Sequence, residues 1–192
     1  MRERAATALC GNHDLAVLGA IDISDFSGDA GAAARWTAGV LDDDRRAWLA
    51  SLATSGRREG VGLYHASPRD PVWEYVLSEH VALLALQTTS DPVVLVGHSH
   101  VALALGLEGD AVAGGVAPGG TEVDLRGRRF LLNPGSVGQP RDGDPRAAWL
   151  LLDLDAGTAR FNRVPYPIAD TQAEIRAAGL PDALASRLQH GI

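Results

Sequence analysis

The sequence predicts an α/β protein built as a sheet sandwich, and three features support this prediction. Apolar residues recur at three- and four-residue spacing between Leu15 and about Ser55, which indicates helices. The run PVVLVGHSH, which starts at Pro92, is apolar up to its polar end, as in a strand buried on both faces. Short strands follow it, separated by turns rich in Gly, Pro and Asp. Helices mixed with strands of both kinds favour a layered α/β fold.

The first part of the chain is predicted to be mainly helical. Residues 1–10 indicate the end of a helix, or a short strand, that leads into the turn Gly11–Asp14. The acidic run Asp42–Asp44 is predicted to open a helix, because carboxylates complement the positive end of the helix dipole. A metal site at this run is disfavoured, since no His or Cys accompanies it. A short strand then ends at His65.

The second part is predicted to be mainly strands. Residues 72–87 have the pattern of an amphipathic helix, and the buried strand PVVLV comes after it. The chain from Ile168 predicts one or two short helices, split at Gly179–Pro181. Between these helical segments lie five short predicted strands: ALALGLE, VDL, RFLLNPG, AAWLLLDLD and TARFNRV.

Composition narrows the class of protein. The 192 residues suffice for one sizeable core, so a single domain over residues 1–192 is expected. A formal net charge of −7 argues against a nucleic-acid surface, which needs a basic stripe. No apolar run approaches the roughly 20 residues that cross a bilayer, and no signal-peptide pattern opens the chain. A single cysteine, Cys10, excludes an internal disulfide and predicts a cytoplasmic location.

Metal-binding residue types stand where three predicted segments end. Asn12 and His13 follow the first apolar run, His65 follows a strand, and His98 and His100 follow the buried strand. In α/β folds the ends of the strands are where sites are assembled. Neutral imidazole suits Zn, Mn, Fe or Ni, and Asn can add a carbonyl oxygen. With an extended backbone, the two imidazoles of the His-Ser-His stretch would point to the same side.

Simpler explanations exist for each signal taken alone. One His after a strand is more often a hydrogen-bonded loop residue, and Asn-His-Asp can be a plain Asx turn. Ser99 could be a nucleophile, but a hydrolase elbow reads Gly-x-Ser-x-Gly and position 101 is Val. His80 and His190 are expected to be structural or solvated. The joint appearance of the three segments makes coincidence a poor explanation.

These segments resemble a known family. Gly11–Asp14, His65 and Gly97–His100 resemble, in the same order, the later motifs of the calcineurin-like metallophosphoesterases. Asn133–Asp153 resembles a segment of the small bacterial members, which include phosphodiesterases and predicted phosphatases. The resemblance extends from Ala8 to Tyr166. It implies a two-sheet α/β sandwich with a dinuclear metal centre, in which a metal-activated hydroxide attacks phosphorus.

The resemblance also implies a role for each residue. Asn12, His65 and His98 would bind one metal ion, and His100 would bind the other. His13 would not be a ligand, but would stabilise the transition state or protonate the leaving oxygen. In the loop after Gly135, Gln139 and Arg141 would meet the substrate.

The chain departs from the family at its start. Members begin with a strand ending in Asp-x-His and a second ending in Gly-Asp, and neither motif stands before Gly11. The fold is therefore expected to lack the first strand-helix-strand portion, through a misassigned start at Met1 or a real truncation. Unpaired strand edges would follow, with VVLVGHSH the foremost exposed strand, and would favour a marginal or oligomeric product.

The missing motifs include the carboxylate that bridges the two metal ions. Two dications about 3.7 Å apart repel by roughly 18 kcal/mol at an effective dielectric of about 20. A dinuclear site is therefore not expected to persist, whereas Asn12, His65 and His98 could hold one ion, with His100 as a fourth ligand.

Two functions are compatible with these residues. The first is a metal-dependent phosphoesterase, a phosphatase or a phosphodiesterase, that acts on a small phosphorylated substrate with Mn, Zn, Fe or Ni. The second is an inactive truncated paralogue that serves as a metal- or nucleotide-binding or regulatory module. The substrate is left open, because selectivity lies in surrounding loops.

Overall fold

The computed structural model describes residues 3–192, which form helices and strands in alternating groups. The helices are α1 (Asn12–Val17), α2 (Gly28–Val40), α3 (Asp43–Ala50), α4 (Glu79–Gln87), α5 (Ile168–Ala177) and α6 (Asp182–Ser186). Short 3₁₀ segments cover Ile23–Asp25 and Arg187–His190. The strands are β1 (Ser55–Arg58), β2 (Val61–Tyr64), β3 (Val93–Leu95), β4 (Ala102–Glu108), β5 (Ala111–Val116), β6 (Glu122–Asp124), β7 (Phe130–Pro134), β8 (Ala147–Asp153) and β9 (Thr158–Val164).

The strands form two sheets, which confirms the predicted two-sheet α/β sandwich. The larger sheet has the order β1-β2-β3-β7-β4-β5, and the smaller has the order β6-β9-β8. In the larger sheet β2, β3 and β7 run parallel, whereas β1, β4 and β5 pair antiparallel with their neighbours. The parallel centre brings the ends of β2 and β3 to the same edge, where the predicted ligands stand.

Two apolar layers hold the sandwich together. Between the sheets, Phe130 and Leu132 of the larger sheet belong to one buried cluster with Ala159 and Phe161 of the smaller. On the other face α4 packs its apolar side, including the fully buried Leu86, against the larger sheet. Full burial of one Leu or Phe side chain stabilises the folded protein by about 1.5–3 kcal/mol. Both layers therefore hold the larger sheet in place, together with the edge where the predicted ligands lie.

The strand that was expected to be exposed is interior. β3 pairs with β2 on one side and β7 on the other, and Val94 is fully buried. The expectation of an open edge at VVLVGHSH is therefore wrong, because neighbouring strands of the chain itself supply both partners. The outer strands of the larger sheet are β1 and β5. Oligomerisation through these edges stays a prediction that sedimentation equilibrium would check.

Some element boundaries also differ from the prediction. α4 begins only at Glu79, because the Ser78 side chain accepts a hydrogen bond from the Val81 N–H (3.3 Å) and caps the helix. Before it, the Asp70 side chain accepts bonds from two successive backbone N–H groups at 3.0 Å and holds a turn. Residues 3–10 form neither a helix nor a strand. β1 and β5 were missed, since SGRR and AVAGGV lack clear apolar alternation.

Other sequence predictions are confirmed. Asp42 caps α3, where its side chain accepts from the Arg45 N–H at 2.8 Å, so the acidic run is a helix start. The tail forms α5 and α6, which are separated at Gly179–Pro181 as expected. His80 and His190 are both exposed.

Within residues 3–192 no helix combines the length and the apolar character that crossing a bilayer requires.

A buried ion pair ties the loop after β7 to the smaller sheet. Arg163 of β9 pairs with Asp142, and their side chains are only 3% and 2% exposed. Asp142 also accepts a hydrogen bond from the Ala102 N–H at 3.0 Å. Arg163 donates to the Asp144 carbonyl oxygen at 3.2 Å. The pair therefore holds together β4, β9 and the loop that carries Gln139 and Arg141.

Replacing Arg163 by Met is expected to lower the free energy of unfolding by about 3–5 kcal/mol, because it leaves the buried Asp142 carboxylate without its partner. Equilibrium urea unfolding would measure this loss. Arg160→Met, on the exposed face of the same strand, is the matched control and should change stability little. A loss below about 1 kcal/mol in Arg163→Met would contradict the structural role of the pair.

Candidate metal centre

The predicted ligands come together at one edge of the larger sheet. His65 directly follows β2 and Gly97–His100 follows the adjacent parallel strand, where the Gly97 N–H donates to the His65 carbonyl oxygen at 2.9 Å. Asn12 opens α1 beside them. A cavity of about 280 Å³ lies between these segments. Its walls are formed by Gly11, Asn12, His13, Asp14, His65, Tyr75, His98, His100 and Arg141.

Asn12 and His65 already face each other. Asn12 Oδ1 lies 3.1 Å from His65 Nε2, and Asn12 is buried, with 6% of its surface exposed. Gly11 permits this approach, because a Cβ on it would lie 2.5 Å from the His65 ring. The Gly11 N–H donates to the Asp14 carboxylate at 2.8 Å, which holds the first turn of α1 in place. The Asp14 carboxylate thus has a structural partner.

His98 is buried between two aromatic groups. Its ring stacks on Tyr75 with centroids 4.1 Å apart and planes 11° from parallel, and lies 5.0 Å from the His65 ring. Its Nε2 is buried and has no hydrogen-bond partner among residues 3–192. A buried polar atom without a partner costs about 1–3 kcal/mol. The His98 Nε2 atom therefore has the character of a metal ligand.

The backbone of the His-Ser-His stretch is not extended. His98 and His100 have φ angles of 60° and 61°, in the left-handed region, which is unfavourable for these residues. The expected extended geometry is therefore wrong, although both rings still reach the same cavity. Ser99 is 4% exposed and is not part of the cavity wall, which disfavours it as a nucleophile.

Asn133 holds this strained stretch, and its role was not predicted from the sequence. Its side-chain N–H₂ donates to the Gly97 carbonyl oxygen and to Ser99 Oγ, both at 2.9 Å. Its Oδ1 accepts from the Gly135 N–H at 2.9 Å, and the residue is fully buried. An Asn at the end of the apolar run RFLLN, just before Pro-Gly, was the signal that could have revealed it.

The loop after β7 supplies the opposite wall. The Gln139 carbonyl oxygen lies 2.8 Å from His100 Nδ1, so Nδ1 is the protonated nitrogen and Nε2 keeps its lone pair. The Arg141 N–H donates to the His100 carbonyl oxygen at 3.0 Å. Gln139 Oε1 accepts from Arg141 Nη2 at 3.0 Å. Gln139 does not border this cavity, where its two contacts position His100 and Arg141, but it lines the adjoining cavity, so its expected substrate contact stays a prediction.

The four histidines that border the cavity have lowered pKa values and are neutral at pH 7. Burial lowers the pKa of His65 to about 4, and the neighbouring His98 and His100 add to this shift. Burial, followed by the charge of Arg141, lowers the pKa of His100 to about 4 as well. The pKa values of His13 and His98 are also lowered, chiefly by burial. Neutral imidazole is the form that binds metal ions.

Comparison with known proteins assigns the chain to a family. The sequence model of the calcineurin-like phosphoesterase superfamily domain matches residues 1–157. This chain belongs to that superfamily. It is also 30% identical over 193 residues to the uncharacterized protein MJ0912 of Methanocaldococcus jannaschii, a match that covers 98% of this chain and 76% of the relative.

Solved structures agree with this assignment. The crystal structure of a metallophosphoesterase from Sphaerobacter thermophilus is 37% identical and gives a TM-score of 0.85, over 96% of this chain and 76% of that chain. The hypothetical protein PH1004 from Pyrococcus horikoshii OT3 has the same fold, with a TM-score of 0.76 at 17% identity, over 100% of this chain and 75% of that chain.

Calcineurin-like phosphoesterases use divalent metal ions, and the residues present fit one such ion. Asn12 Oδ1, His65 Nε2 and the unpartnered His98 Nε2 are one amide oxygen and two imidazole nitrogens, a set that suits Mn, Zn, Fe or Ni. Within the described part of the chain, no group of three or more His, Cys, Asp and Glu side chains is arranged to hold a metal ion. The proposed set of three donors therefore needs the Asn12 amide oxygen in addition to the imidazoles of His65 and His98.

Replacing Gly11 by Ala is expected to weaken Mn²⁺ binding about tenfold or more, because the new methyl group displaces the His65 ring from Asn12. Isothermal titration calorimetry with Mn²⁺ would measure the change. The matched control is Gly39→Ala in α2, where an added Cβ meets open space. Equal Mn²⁺ affinities in Gly11→Ala and the parent protein would contradict the assignment of His65 as a ligand.

Proposed function

We propose that this protein is a metal-dependent phosphoesterase that hydrolyses a small phosphorylated substrate. The observation that carries this proposal is the convergence of Asn12, His65 and the unpartnered His98 in a cavity that Arg141 also borders. A bound divalent ion supplies an activated water at neutral pH and positive charge for the phosphate oxygens. Membership of the calcineurin-like phosphoesterase superfamily supports this reaction class, and these residues are our proposal for how this chain would perform it.

Arg141 is proposed to bind the phosphate. Its Nε is buried without a partner among residues 3–192, while Gln139 holds Nη2. Its positive charge lowers the pKa values of His13, His98 and His100, so this charge acts on three imidazoles of the cavity. A planar guanidinium can form two parallel hydrogen bonds to phosphate oxygens. Arg141 would therefore orient the substrate and neutralise part of its charge.

His13 is proposed to act on the leaving oxygen. It is exposed at the cavity wall, and its ring packs against Phe26 with centroids 4.7 Å apart. Although solvent reaches the ring, the cavity walls partly desolvate it, and this desolvation together with the charge of Arg141 lowers its pKa, so the ring is neutral at pH 7. A neutral ring still donates one N–H hydrogen bond, which stabilises negative charge as it develops. Hydrogen-bond donation thus fits His13 better than delivery of a stored proton.

We propose that a single ion suffices in this chain. His100 is the remaining neutral imidazole at the cavity, but His65, His98 and His100 are not arranged as a three-imidazole group among residues 3–192, so His100 would complete a four-ligand set only if its ring moved. The one carboxylate among the wall residues, Asp14, is engaged with the Gly11 N–H. With no bridging anion among the described wall residues, a second dication would be strongly repelled.

A second candidate function rests on the same scarcity of carboxylates. With Asp14 as the one carboxylate among the described wall residues, and with that carboxylate engaged by the Gly11 N–H, the cavity would also fit a metal-binding or regulatory module without turnover. Mn²⁺ binding together with hydrolysis no faster than the buffer background would favour this candidate.

Replacing His98 by Ala is expected to lower Mn²⁺-dependent hydrolysis by about 100-fold or more, because one of three protein ligands is lost. Bis(p-nitrophenyl) phosphate and p-nitrophenyl phosphate would report diester and monoester cleavage separately. His80→Ala, which removes an exposed imidazole of α4, is the control and should retain parent activity. Equal rates for the two variants would remove His98 from the mechanism.

Replacing Arg141 by Met is expected to lower kcat/KM by about 100-fold while Mn²⁺ affinity stays within about twofold, because the phosphate contact is lost and the ligands remain. Steady-state kinetics and Mn²⁺ titration on one preparation would separate the two effects. Arg160→Met serves as the charge-matched control. Parent-like kcat/KM in Arg141→Met would contradict the proposed role.

A further inference from the structure

A second cavity of about 270 Å³ adjoins the proposed metal cavity, and the two share His13 and Arg141 in their walls. Its other walls come from α2, from Gly138 and Gln139 in the loop after β7, and from the C-terminal helices with the turn between them. Most of the contributing side chains are apolar: Ala30, Ala33, Ile175, Leu180, Leu184 and Leu188. An apolar cavity beside a phosphate site is suited to the organic part of a phosphate ester.

Arg187 brings a second positive charge into this apolar wall. Its Nε donates to the Ile192 carbonyl oxygen at 2.7 Å, and this is its only side-chain hydrogen bond among residues 3–192. The two terminal nitrogens are therefore available to a ligand.

Neither Arg141 nor Arg187 forms an ion pair with an Asp or Glu side chain in the part of the chain that the structure describes. The charge of Asp29 on α2 reaches Arg187, but burial and the charge of Arg141 still lower the pKa of Arg187. Two neighbouring guanidinium groups beside an apolar cavity repel each other, and a bound anion would relieve that repulsion.

The wall that carries Arg187 is preorganised. Gln172 of α5 is buried and donates to the Ala185 carbonyl oxygen at 3.0 Å, which joins α5 to α6. The Gly143 N–H donates to the Gly191 carbonyl oxygen at 3.0 Å, which joins the C-terminal turn to the loop that carries Arg141. Both arginines are thus held on connected segments, and little ordering is needed when a ligand binds.

We propose that this second cavity binds the organic part of the substrate, and that the substrate is a phosphate ester whose apolar or aromatic portion carries a second negatively charged group. The proposal rests on the proposed function, because the first phosphate lies at Arg141 and the metal ligands. Arg187 pairs with the second negative group, and the leucine side chains cover the organic portion. Arg187 is then a residue that determines specificity.

Five phosphonates would test the proposal with Mn²⁺-saturated protein by isothermal titration calorimetry. They are methylphosphonate, phenylphosphonate, and phenylphosphonates that carry a carboxylate at the 2-, 3- or 4-position. Methylphosphonate cannot fill the second cavity and therefore reports on the proposed function alone. Phenylphosphonate adds the apolar ring, and the three carboxylated isomers add the second charge at different distances.

At least one carboxylated isomer is expected to bind about tenfold more tightly than phenylphosphonate. Arg187→Met should abolish this gain and leave methylphosphonate binding unchanged. Leu184→Asn should reduce the preference for phenylphosphonate over methylphosphonate. Arg160→Met, which removes the same charge from exposed β9, should behave as the parent protein.

Other results would overturn the proposal. If methylphosphonate binds but no isomer exceeds phenylphosphonate, or if the gain survives Arg187→Met, the subsite is wrong and the proposed function stands. If methylphosphonate does not bind while an isomer binds in an Arg187-dependent manner, the subsite stands and the proposed metal-assisted phosphate site is wrong. Binding of none of the five would overturn both.

Discussion

Parallel pairing of β2 with β3 is the constraint on which the candidate site depends. The register places Leu63 beside Leu95, so the residues that follow, His65 and Gly97, leave the sheet together. A Cβ on Gly97 would lie 3.1 Å from the His65 carbonyl oxygen, which explains why the smallest residue stands there. The same pairing brings His98 beside His65, and β7 on the far side of β3 brings Asn133 within reach of the loop. The placement of the candidate ligands His65 and His98 therefore follows from the backbone hydrogen bonds that build the centre of the larger sheet.

Burial determines the electrostatics of the site. The sandwich and α1 enclose the imidazoles, so desolvation lowers their pKa values and leaves neutral rings whose lone pairs can bind metal. Arg141 reinforces the effect from the opposite wall. An amide oxygen and neutral nitrogens carry no negative charge, which suits a single dication better than two. Because carboxylates are scarce at the cavity, we propose one metal ion rather than two. For the same reason we propose that Arg141 neutralises part of the phosphate charge.

The loop after β7 links stability with chemistry. Asp142 in this loop is held by Arg163 and by the Ala102 N–H, and its neighbour Arg141 points its backbone N–H at His100. The C-terminal turn attaches to the same loop through Gly143. Loss of the Arg163–Asp142 pair would therefore lower the free energy of unfolding. It would also disturb the proposed phosphate contact at Arg141 and the adjoining cavity. Stability and substrate recognition share one set of contacts here.

Local apolar patterns and short ordered motifs encode the layered α/β class, the family and the four metal-ligand candidates, so these could be predicted from the amino-acid order alone. The interior position of β3 could not, since strand partners 30 or more residues away are chosen by packing. The same holds for Asn133, for Gly11 beside His65, and for the left-handed backbone at His98 and His100, which depend on contacts between distant segments. Arg187 also became a candidate only in three dimensions, because folding brings the C-terminal helices against the loop of Arg141.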